Sequence, residues 1–126
     1  MKLCDILKMN MQRSNLPSYK VANDLGISTS AMTAYVKGNR FPSIKVILGM
    51  RHVYGWSELD PYINVYNSGV NYLKQFGFTD SVIRLVTGAS PATYHAWESG
   101  VKHIPMTKID KLLNTDLKVI TRGGYL

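Results

Sequence analysis

The sequence has few of the features that mark secreted, membrane-spanning or metal-binding proteins. Its 126 residues include one cysteine, Cys4, which excludes an internal disulfide and a zinc site built on several thiolates. It has no run of about 18 apolar residues, the minimum expected of a transmembrane helix. An acid at Asp5, with no unbroken apolar stretch after Met1, argues against a signal peptide. We therefore expect a cytoplasmic protein without a membrane partner.

Acidic residues are scarce beside basic ones. Eight Asp and Glu stand against 15 Lys and Arg, which gives a net charge of +7. Hydrophobic residues make up 45% of the chain and charged residues 18%, a composition typical of a folded globular protein rather than a disordered one. The positive charge favours a polyanionic partner, although a basic protein without such a partner fits the charge equally well.

Motifs typical of enzymes are also missing. The three histidines, His52, His95 and His103, do not have the His-Glu-x-x-His spacing of a metal site. The two glutamates, Glu58 and Glu98, lie far apart, and no glycine-rich loop of the nucleotide-binding type occurs. The sequence therefore predicts a protein that is not an enzyme, with no metal, no cofactor and no small-molecule ligand.

An internal repeat organises the chain. Gly26 and Gly38 recur 62 residues later as Gly88 and Gly100. Similar short segments lie between the two glycines of each pair, and aromatic Tyr35 in the first is matched by Trp97 in the second.

A basic loop with a proline follows each repeated segment. The loop reaches its proline at Pro42 in the first copy and at Pro105 in the second, so the second loop is predicted to be one residue longer. We predict two domains, 1–63 and 64–126. The first contains eight basic and four acidic residues and the second seven and four, so each unit is itself basic.

Both units are predicted to be helical, because their apolar residues follow helical spacing. In the first unit we predict a helix that ends at Arg13, a second between Ser18 and Gly26, a third at 29–37, a fourth that stops near Gly55, and a short fifth at 56–63. Ser18 and Ser28 are predicted to be N-caps, and Gly26 is predicted to be a left-handed C-cap. Ile44, Ile47 and Leu48 mark the fourth helix.

The second unit repeats this plan. Tyr66, Val70, Leu73 and Phe76 predict its first helix, and the next helix is capped by Thr79 or Asp80 and ends at Gly88. Ser90 before Pro91 is a strong start signal for the third helix, which ends at Gly100. The fourth contains Ile109, Leu112 and Leu113. The tail 117–122 is left open as a strand or a loose end. The predicted fold class is all-α.

Residues 18–38 have the pattern of a helix-turn-helix. A small residue is needed where two such helices cross, and Ala22 lies there; Gly26 supplies the positive φ of the turn. The second helix then presents short polar side chains outward, as expected of a surface pressed into a DNA major groove. The outward residues are predicted to be Ser28, Thr29, Ser30, Thr33, Ala34 and Lys37.

This window resembles the helix-turn-helix of phage-type repressors and Cro-like (XRE-type) regulators. The residues that fill the family's defining positions are Ala22, Gly26, Ile27, Met32 and Tyr35. The stretch Gly38-Asn39-Arg40-Phe41-Pro42 resembles the family's Gly-x-Arg-x-Pro loop. The resemblance covers roughly residues 3–55. It implies two tandem units of four to five helices, each containing a lambda-repressor-like helix-turn-helix that binds DNA.

The second window, 80–100, also resembles the family, particularly at Trp97-Glu98-Ser99-Gly100, but departs from its pattern at one position. Arg84 stands where Ala22 stands in the first unit, and it is expected either to splay the helices or to pair with Glu98. Its outward residues are predicted to be Pro91, Ala92, His95, Ala96 and Ser99. Whether this unit reads bases, holds only phosphate or pairs subunits stays open.

Phosphate contacts are expected near helix N-termini and from nearby cations and polar groups. In the first unit the candidates are Ser18, Lys20, Lys37, Asn39, Arg40, Ser43 and Lys45. In the second unit they are Lys102, His103, Thr107 and Lys108.

The predicted function is sequence-specific binding of a double-stranded DNA operator by a transcriptional regulator. The expected type is a repressor encoded by a phage or mobile element and acting in the bacterial host cytoplasm. The alternative is a protein-interaction module, such as an antirepressor or host-factor inhibitor. A homodimer also stays open, because aromatic residues around the domain boundary suit either packing or a subunit interface. These aromatic residues are Tyr54, Trp56, Tyr62, Tyr66 and Tyr72.

Overall fold

A computed structural model describes residues 1–117 and confirms the predicted all-α class. These residues form nine α-helices and one short 3-10 helix, and contain no strand. Residues 118–122 of the predicted tail, 117–122, lie outside the described residues. The elements are α1 (Leu3–Arg13), α2 (Ser18–Leu25), α3 (Thr29–Lys37), α4 (Ile44–Tyr54), η1 (Ser57–Leu59), α5 (Asp60–Ser68), α6 (Val70–Gln75), α7 (Asp80–Thr87), α8 (Pro91–Ser99) and α9 (Met106–Leu113).

The chain divides into two compact units. Unit 1 is Met1–Ile63, and unit 2 begins at Asn64. Helix α5 includes this boundary. The prediction of a single helix that ends at residue 63 is therefore wrong. The first turn of this segment is the 3-10 helix η1, and α5 then continues as far as Ser68.

The 62-residue repeat holds for the helices themselves. Both α2 and α7 are eight residues long, both α3 and α8 are nine, and α4 and α9 begin 62 residues apart. The prediction of a longer second loop is therefore wrong. Pro105 is the N-cap of α9, where Ser43 caps α4, so the proline has moved by one position while the helix start has not.

Helix α3 of unit 1 packs against both α1 and α2. Its Met32 is fully buried, as are Leu7 of α1 and Val21 of α2. In α4 the inner face is formed by Ile47 and Met50. Leu48, one of the residues that predicted this helix, lies in α4 but outside that face, with an exposed fraction of 44%.

The aromatic residues near the boundary contribute to packing within their own units. Trp56 and Tyr62 of unit 1 are buried, and the Trp56 ring stacks on Tyr54 with a centroid separation of 4.9 Å. In unit 2, Tyr66 and Tyr72 are each half-buried. These contacts account for much of the aromatic content around residues 54–72.

Unit 2 interrupts its first helix. Gly69 has φ 59° and ψ −134°, a conformation open to glycine but strained for other residues, and it separates α5 from α6. The prediction of one helix through Tyr66 and Phe76 is therefore wrong, and Phe76 lies outside α6 with 60% of its surface exposed. Helix α6 packs against α8 through a core that includes Leu73 and Trp97.

The caps of the third helix in each unit are confirmed. Ser28 accepts a hydrogen bond from the Ala31 N–H at 3.0 Å, and Ser90 accepts one from the Thr93 N–H at 3.2 Å. The predicted cap at Ser18 is wrong. Ser18 is the first residue of α2, and the N-cap is Pro17, whose side chain has no acceptor for the N–H groups of the first turn.

Candidate nucleic-acid interface

A tight turn fixes the angle between α2 and α3. Gly26 adopts φ 69°, and the Ile27 N–H donates to the Ala22 carbonyl at 3.0 Å. Ala22 is itself buried where the two helices pack closely. A small side chain at this contact is what lets α3 lie across α2 with one face outward.

That outward face carries the predicted base-reading residues, here called the reading face. Ser28, Thr29, Ser30 and Lys37 are exposed. Thr33 and Ala34 are half-buried, so they are less accessible than predicted. The face is polar and free of acidic side chains, as close approach to DNA requires.

The loop after α3 is held back against the helix. The N–H groups of Asn39 and Arg40 both donate to the Ala34 carbonyl, at 3.0 and 3.4 Å. The Arg40 guanidinium lies over the Tyr35 ring, 5.8 Å from its centroid, within range of a cation–π interaction. These contacts place the Arg40 charge beside the C-terminal end of the reading face.

Gly38, the left-handed C-cap of α3, lies close to Cys4. A Cβ built on Gly38 would approach the Cys4 Sγ to 3.3 Å, and its φ of 79° also disfavours a side chain. Glycine therefore serves both the turn and the packing of α1 beneath it.

The N-termini of α2 and α4 flank the reading face in sequence. Because Pro17 gives α2 no side-chain cap, the N–H groups of its first turn are not satisfied in that way. At α4, the exposed Ser43 accepts from the Val46 N–H at 3.3 Å. Ser18 is half-buried at the start of α2.

Lys20 is less available for phosphate than predicted. Its Nζ lies 3.0 Å from Asp24 Oδ1, and the Tyr54 hydroxyl donates to Asp24 Oδ2 at 2.5 Å. The Tyr54 hydroxyl, followed by Lys20, lowers the pKa of Asp24, so this carboxylate stays charged. The positive charge of Lys20 is thus largely compensated within α2.

Five lysines and arginines of unit 1 form no ion pair within residues 1–117, and three of them lie near the reading face. Lys37, Arg40 and Lys45 are exposed, and within residues 1–117 none of them forms an ion pair. Three of the four acids of this unit pair with other cations, for example Glu58 with Arg13 and Asp60 with Arg51. Lys37, Arg40 and Lys45 lie on α3, the loop that follows it and the first turn of α4, whereas the other two unpaired cations, Lys2 and Lys8, lie at the start of α1 and on it.

The corresponding face of unit 2 has a different character. Pro91, Ala92 and His95 are exposed on α8, and Ala96 is half-buried. The Ala96 carbonyl accepts from the Lys102 N–H at 3.1 Å, which repeats the contact that Ala34 makes in unit 1. The backbone plan therefore matches, while the side chains offer fewer hydrogen-bonding groups.

Two carboxylates occupy this part of unit 2. Lys74 Nζ lies 3.0 Å from Asp80 Oδ1 and 3.6 Å from Glu98 Oε2, and His95 Nδ1 lies 3.7 Å from Glu98. The predicted Arg84–Glu98 pair is therefore wrong: Arg84 is exposed, and Lys74 pairs with Glu98 instead. This difference follows from α6 lying against α8.

Asp80 replaces the Ser18 of unit 1 at the start of the second helix. It accepts a hydrogen bond from the Tyr94 hydroxyl on α8, and this bond, with that from Lys74, lowers the pKa of Asp80. A charged carboxylate thus stands at the α7 N-terminus, where an approaching phosphate would be repelled.

Helix packing also differs at the crossing point. Helix α2 packs closely on α3, whereas the close partner of α7 is α9 rather than α8. Arg84, exposed on α7, cannot make the contact that Ala22 makes in unit 1. Helices α7 and α8 are in looser contact than α2 and α3, and the splaying of these helices by Arg84 stays a prediction.

The predicted phosphate contacts of unit 2 are partly committed to other roles. The His103 ring stacks on Tyr66 with centroids 4.0 Å apart, and its Nδ1 lies 2.9 Å from the Tyr66 carbonyl oxygen. Lys102 and Thr107 are exposed, and Lys108 is half-buried. His103 therefore has a packing role, while Lys102 keeps an uncompensated charge within residues 1–117.

Sequence reasoning missed the residues that distinguish the two units most. The charge role of Asp80 and Lys74 was not foreseen, nor was Tyr35 as a support for Arg40. Asp80 was signalled by the repeat, since it falls 62 residues after Ser18. Lys74 and Tyr35 needed the packing of neighbouring helices to be known.

No protein-family model, curated protein or solved structure matches this chain. None of the helices within residues 1–117 is long and apolar enough to cross a membrane. In the same part of the chain, no three His, Cys, Asp or Glu side chains come together as metal ligands would.

Proposed function

We propose that this protein is a sequence-specific DNA-binding transcriptional regulator that inserts α3 of unit 1 into the major groove of a double-stranded operator. The observation that carries the proposal is the polar, acid-free reading face bordered by three uncompensated cations. Residues such as Ser28, Thr29 and Thr33 have hydroxyls suited to base edges.

The backbone around the reading face suits phosphate contacts. Lys37, Arg40 and Lys45 lie near the C-terminal end of α3 and the first turn of α4. The uncapped N–H groups of α2 offer a second anchor, because a helix N-terminus favours anions. Such contacts fix the orientation of a protein on DNA, while the reading face selects the sequence.

For unit 2 we propose a supporting role rather than base reading. Asp80 at the start of α7 and Glu98 on α8 bring two carboxylates to this face, and Thr29 and Ser30 of the first copy are replaced by Pro91 and Ala92. A face of this kind is poorly matched to a polyanion.

Regulation would follow from occupancy of the operator, and we propose repression of the phage or mobile-element type. With one reading helix per chain, the recognised sequence should be short and asymmetric. If the chain forms a homodimer, two half-sites about 34 Å apart are expected instead. Footprint length and symmetry distinguish these arrangements.

The proposal is tested by titrating the full chain into duplex DNA and following fluorescence anisotropy. The duplexes are a fragment of the protein's own promoter region and a scrambled one of equal length. We expect tighter binding to the promoter fragment and a steep loss of affinity between roughly 50 and 200 mM salt, from counterion release. Equal, weak binding to every duplex would refute the proposal and favour a protein-interaction module.

A further inference from the structure

Unit 2 contains a polar pocket that the proposed function does not use. Its volume is about 450 Å³, within the range of small-molecule sites. It lies between the end of α5, the start of α6 and the C-terminal end of α8, and all of its lining residues fall between Tyr66 and Ile104.

The repeat shows how this pocket arises. In unit 1, Ile6 and Leu7 of the continuous helix α1 are buried, with exposed fractions of 5% and 0%. Counting 62 residues on, unit 2 has Ser68 and Gly69 in their place, and both line the pocket. Loss of two large apolar side chains, together with the helix break at Gly69, leaves space that unit 1 fills with its core.

The wall of the pocket is already ordered. Tyr66 and His103 stack with their rings 4° from parallel, and the His103 imidazole is held to the Tyr66 carbonyl. Trp97 lines the base and is buried. Because these side chains are already held in place, little free energy is lost in ordering them when a ligand binds.

One charged side chain in the lining of the pocket has no ion-pair partner within residues 1–117. Glu98 lines the pocket, but Lys74 already lies 3.6 Å from it. Lys102 also lines the pocket and has no ion pair within residues 1–117. The lining therefore complements a single negative charge placed next to Lys102.

Three carboxamides provide the remaining recognition groups. Asn67, Asn71 and Gln75 follow one another at four-residue intervals along α5 and α6 and line the same pocket. Each offers two donors and an acceptor, and none has a side-chain hydrogen bond to another described residue. They suit a ligand whose body carries several donors and acceptors.

We propose that this pocket binds a small polar anion, with a phosphate or carboxylate beside Lys102 and a hydrogen-bonding body against the carboxamides of α5 and α6. The inference does not depend on DNA binding by unit 1. It assigns unit 2 a binding site for a metabolite, at the place where the repeat loses its apolar core.

The experiment is an NMR titration of the full, ¹⁵N-labelled chain with named probes. The phosphate arm uses adenosine 5′-monophosphate and glucose 6-phosphate, and the carboxylate arm uses malate and glutamate. We expect one arm to shift the amide signals of Gly69, Asn71 and Lys102 in a saturable way. Inorganic phosphate alone should bind at least about tenfold more weakly, because it cannot reach the carboxamides.

Matched variants separate this site from general charge effects. Lys102→Gln should weaken probe binding about tenfold, and Asn71→Ala should weaken it by a smaller factor. Lys111→Gln removes the same charge from an exposed position of α9 outside the pocket and should leave binding unchanged.

Three results would overturn the inference. The first is no saturable shift with any probe up to millimolar concentration. The second is equal binding of inorganic phosphate, which means an adventitious ion only. The third is an equal loss of affinity in Lys102→Gln and Lys111→Gln. Amide spectra that keep the parent dispersion show that the variants are folded.

Discussion

Units 1 and 2 place their second and third helices in the same register, yet they surround the third helix with opposite chemistry. In unit 1 the surroundings of α3 are three uncompensated cations. In unit 2, Asp80 at the start of α7 and Glu98 on α8 share Lys74. A repeated backbone therefore does not imply a repeated function, because a few exposed side chains decide which partner the helix can approach.

The two units also differ beneath that face. Ala22 allows α2 to pack closely on α3, whereas Arg84 stays exposed and α7 packs on α9. Leu7 fills the core under α3, whereas Gly69 opens a pocket under α8. Exchanging residues between the two units is thus a direct way to test the comparison.

The largest effect is expected from Ala22→Arg, which gives unit 1 the residue of unit 2. An unpaired charge at this buried helix crossing should cost about 3–5 kcal/mol of unfolding free energy and abolish DNA binding. The control, Arg84→Ala, changes an exposed residue and should alter stability by no more than about 0.5 kcal/mol. Urea unfolding followed by circular dichroism measures both. Equal effects of the two changes would contradict the close crossing of α2 and α3.

Removal of a single phosphate-contacting charge should have the next largest effect. We expect Arg40→Ala to weaken binding to all duplex sequences alike by about 1.5–3 kcal/mol, because a charge-assisted contact is lost. Lys102→Ala, at the matching loop of unit 2, should leave DNA affinity nearly unchanged. Anisotropy titrations of both variants at one salt concentration give the comparison. A greater loss for Lys102→Ala would reverse the roles assigned to the two units.

Loss of a helix cap should affect the stability of both units similarly but DNA binding in only one. Ser28→Ala and Ser90→Ala each remove a side-chain acceptor at the N-terminus of the third helix. Each should cost about 1 kcal/mol of stability. Of the two, we expect only Ser28→Ala to lower operator affinity. A Ser90→Ala variant with equally impaired DNA binding is incompatible with a supporting role for unit 2.

The smallest expected effect is a loss of stability at low pH that the two units share. The Tyr54 hydroxyl lowers the pKa of Asp24, and the Tyr94 hydroxyl lowers that of Asp80, in each case with help from a lysine. Because both pKa values lie below the ordinary 3.8, the stabilisation is full above that pH and is lost as the pH falls through the folded-state values.

Thermal melts near pH 7 and near pH 3 test this shared feature. Asp24→Asn and Asp80→Asn should each lower the melting temperature slightly near pH 7, and the difference from the parent should shrink near pH 3. A difference that grows as the pH falls would mean that the carboxylates are not stabilised by these partners.

Local sequence signals predicted much of the fold. The glycines and the serines before α3 and α8 fixed the turns and helix starts, because their backbone preferences act within a few residues. The 62-residue repeat likewise brought Ser18 and Asp80 to equivalent positions. Such features depend little on distant parts of the chain.

Other features could not be predicted, because they depend on packing. Leu48 has helical spacing with Ile44 but points outward, since Met50 takes the inner position. The apolar pattern around Gly69 is compatible with one continuous helix, yet Gly69 adopts a positive φ that separates α5 from α6. The charge sharing by Lys74 required α6 to lie against α8, which no local pattern reveals.

The central claim is that α3 of unit 1 reads DNA and α8 of unit 2 does not. Binding-site selection from random duplex DNA tests it most directly when it is run on the parent chain, Thr33→Ala and His95→Ala. We predict an enriched sequence for the parent, a loss of preference of about 1–3 kcal/mol at one base position for Thr33→Ala, and no change for His95→Ala. Selection of no sequence at all, or a sequence altered by His95→Ala but not by Thr33→Ala, would contradict the claim.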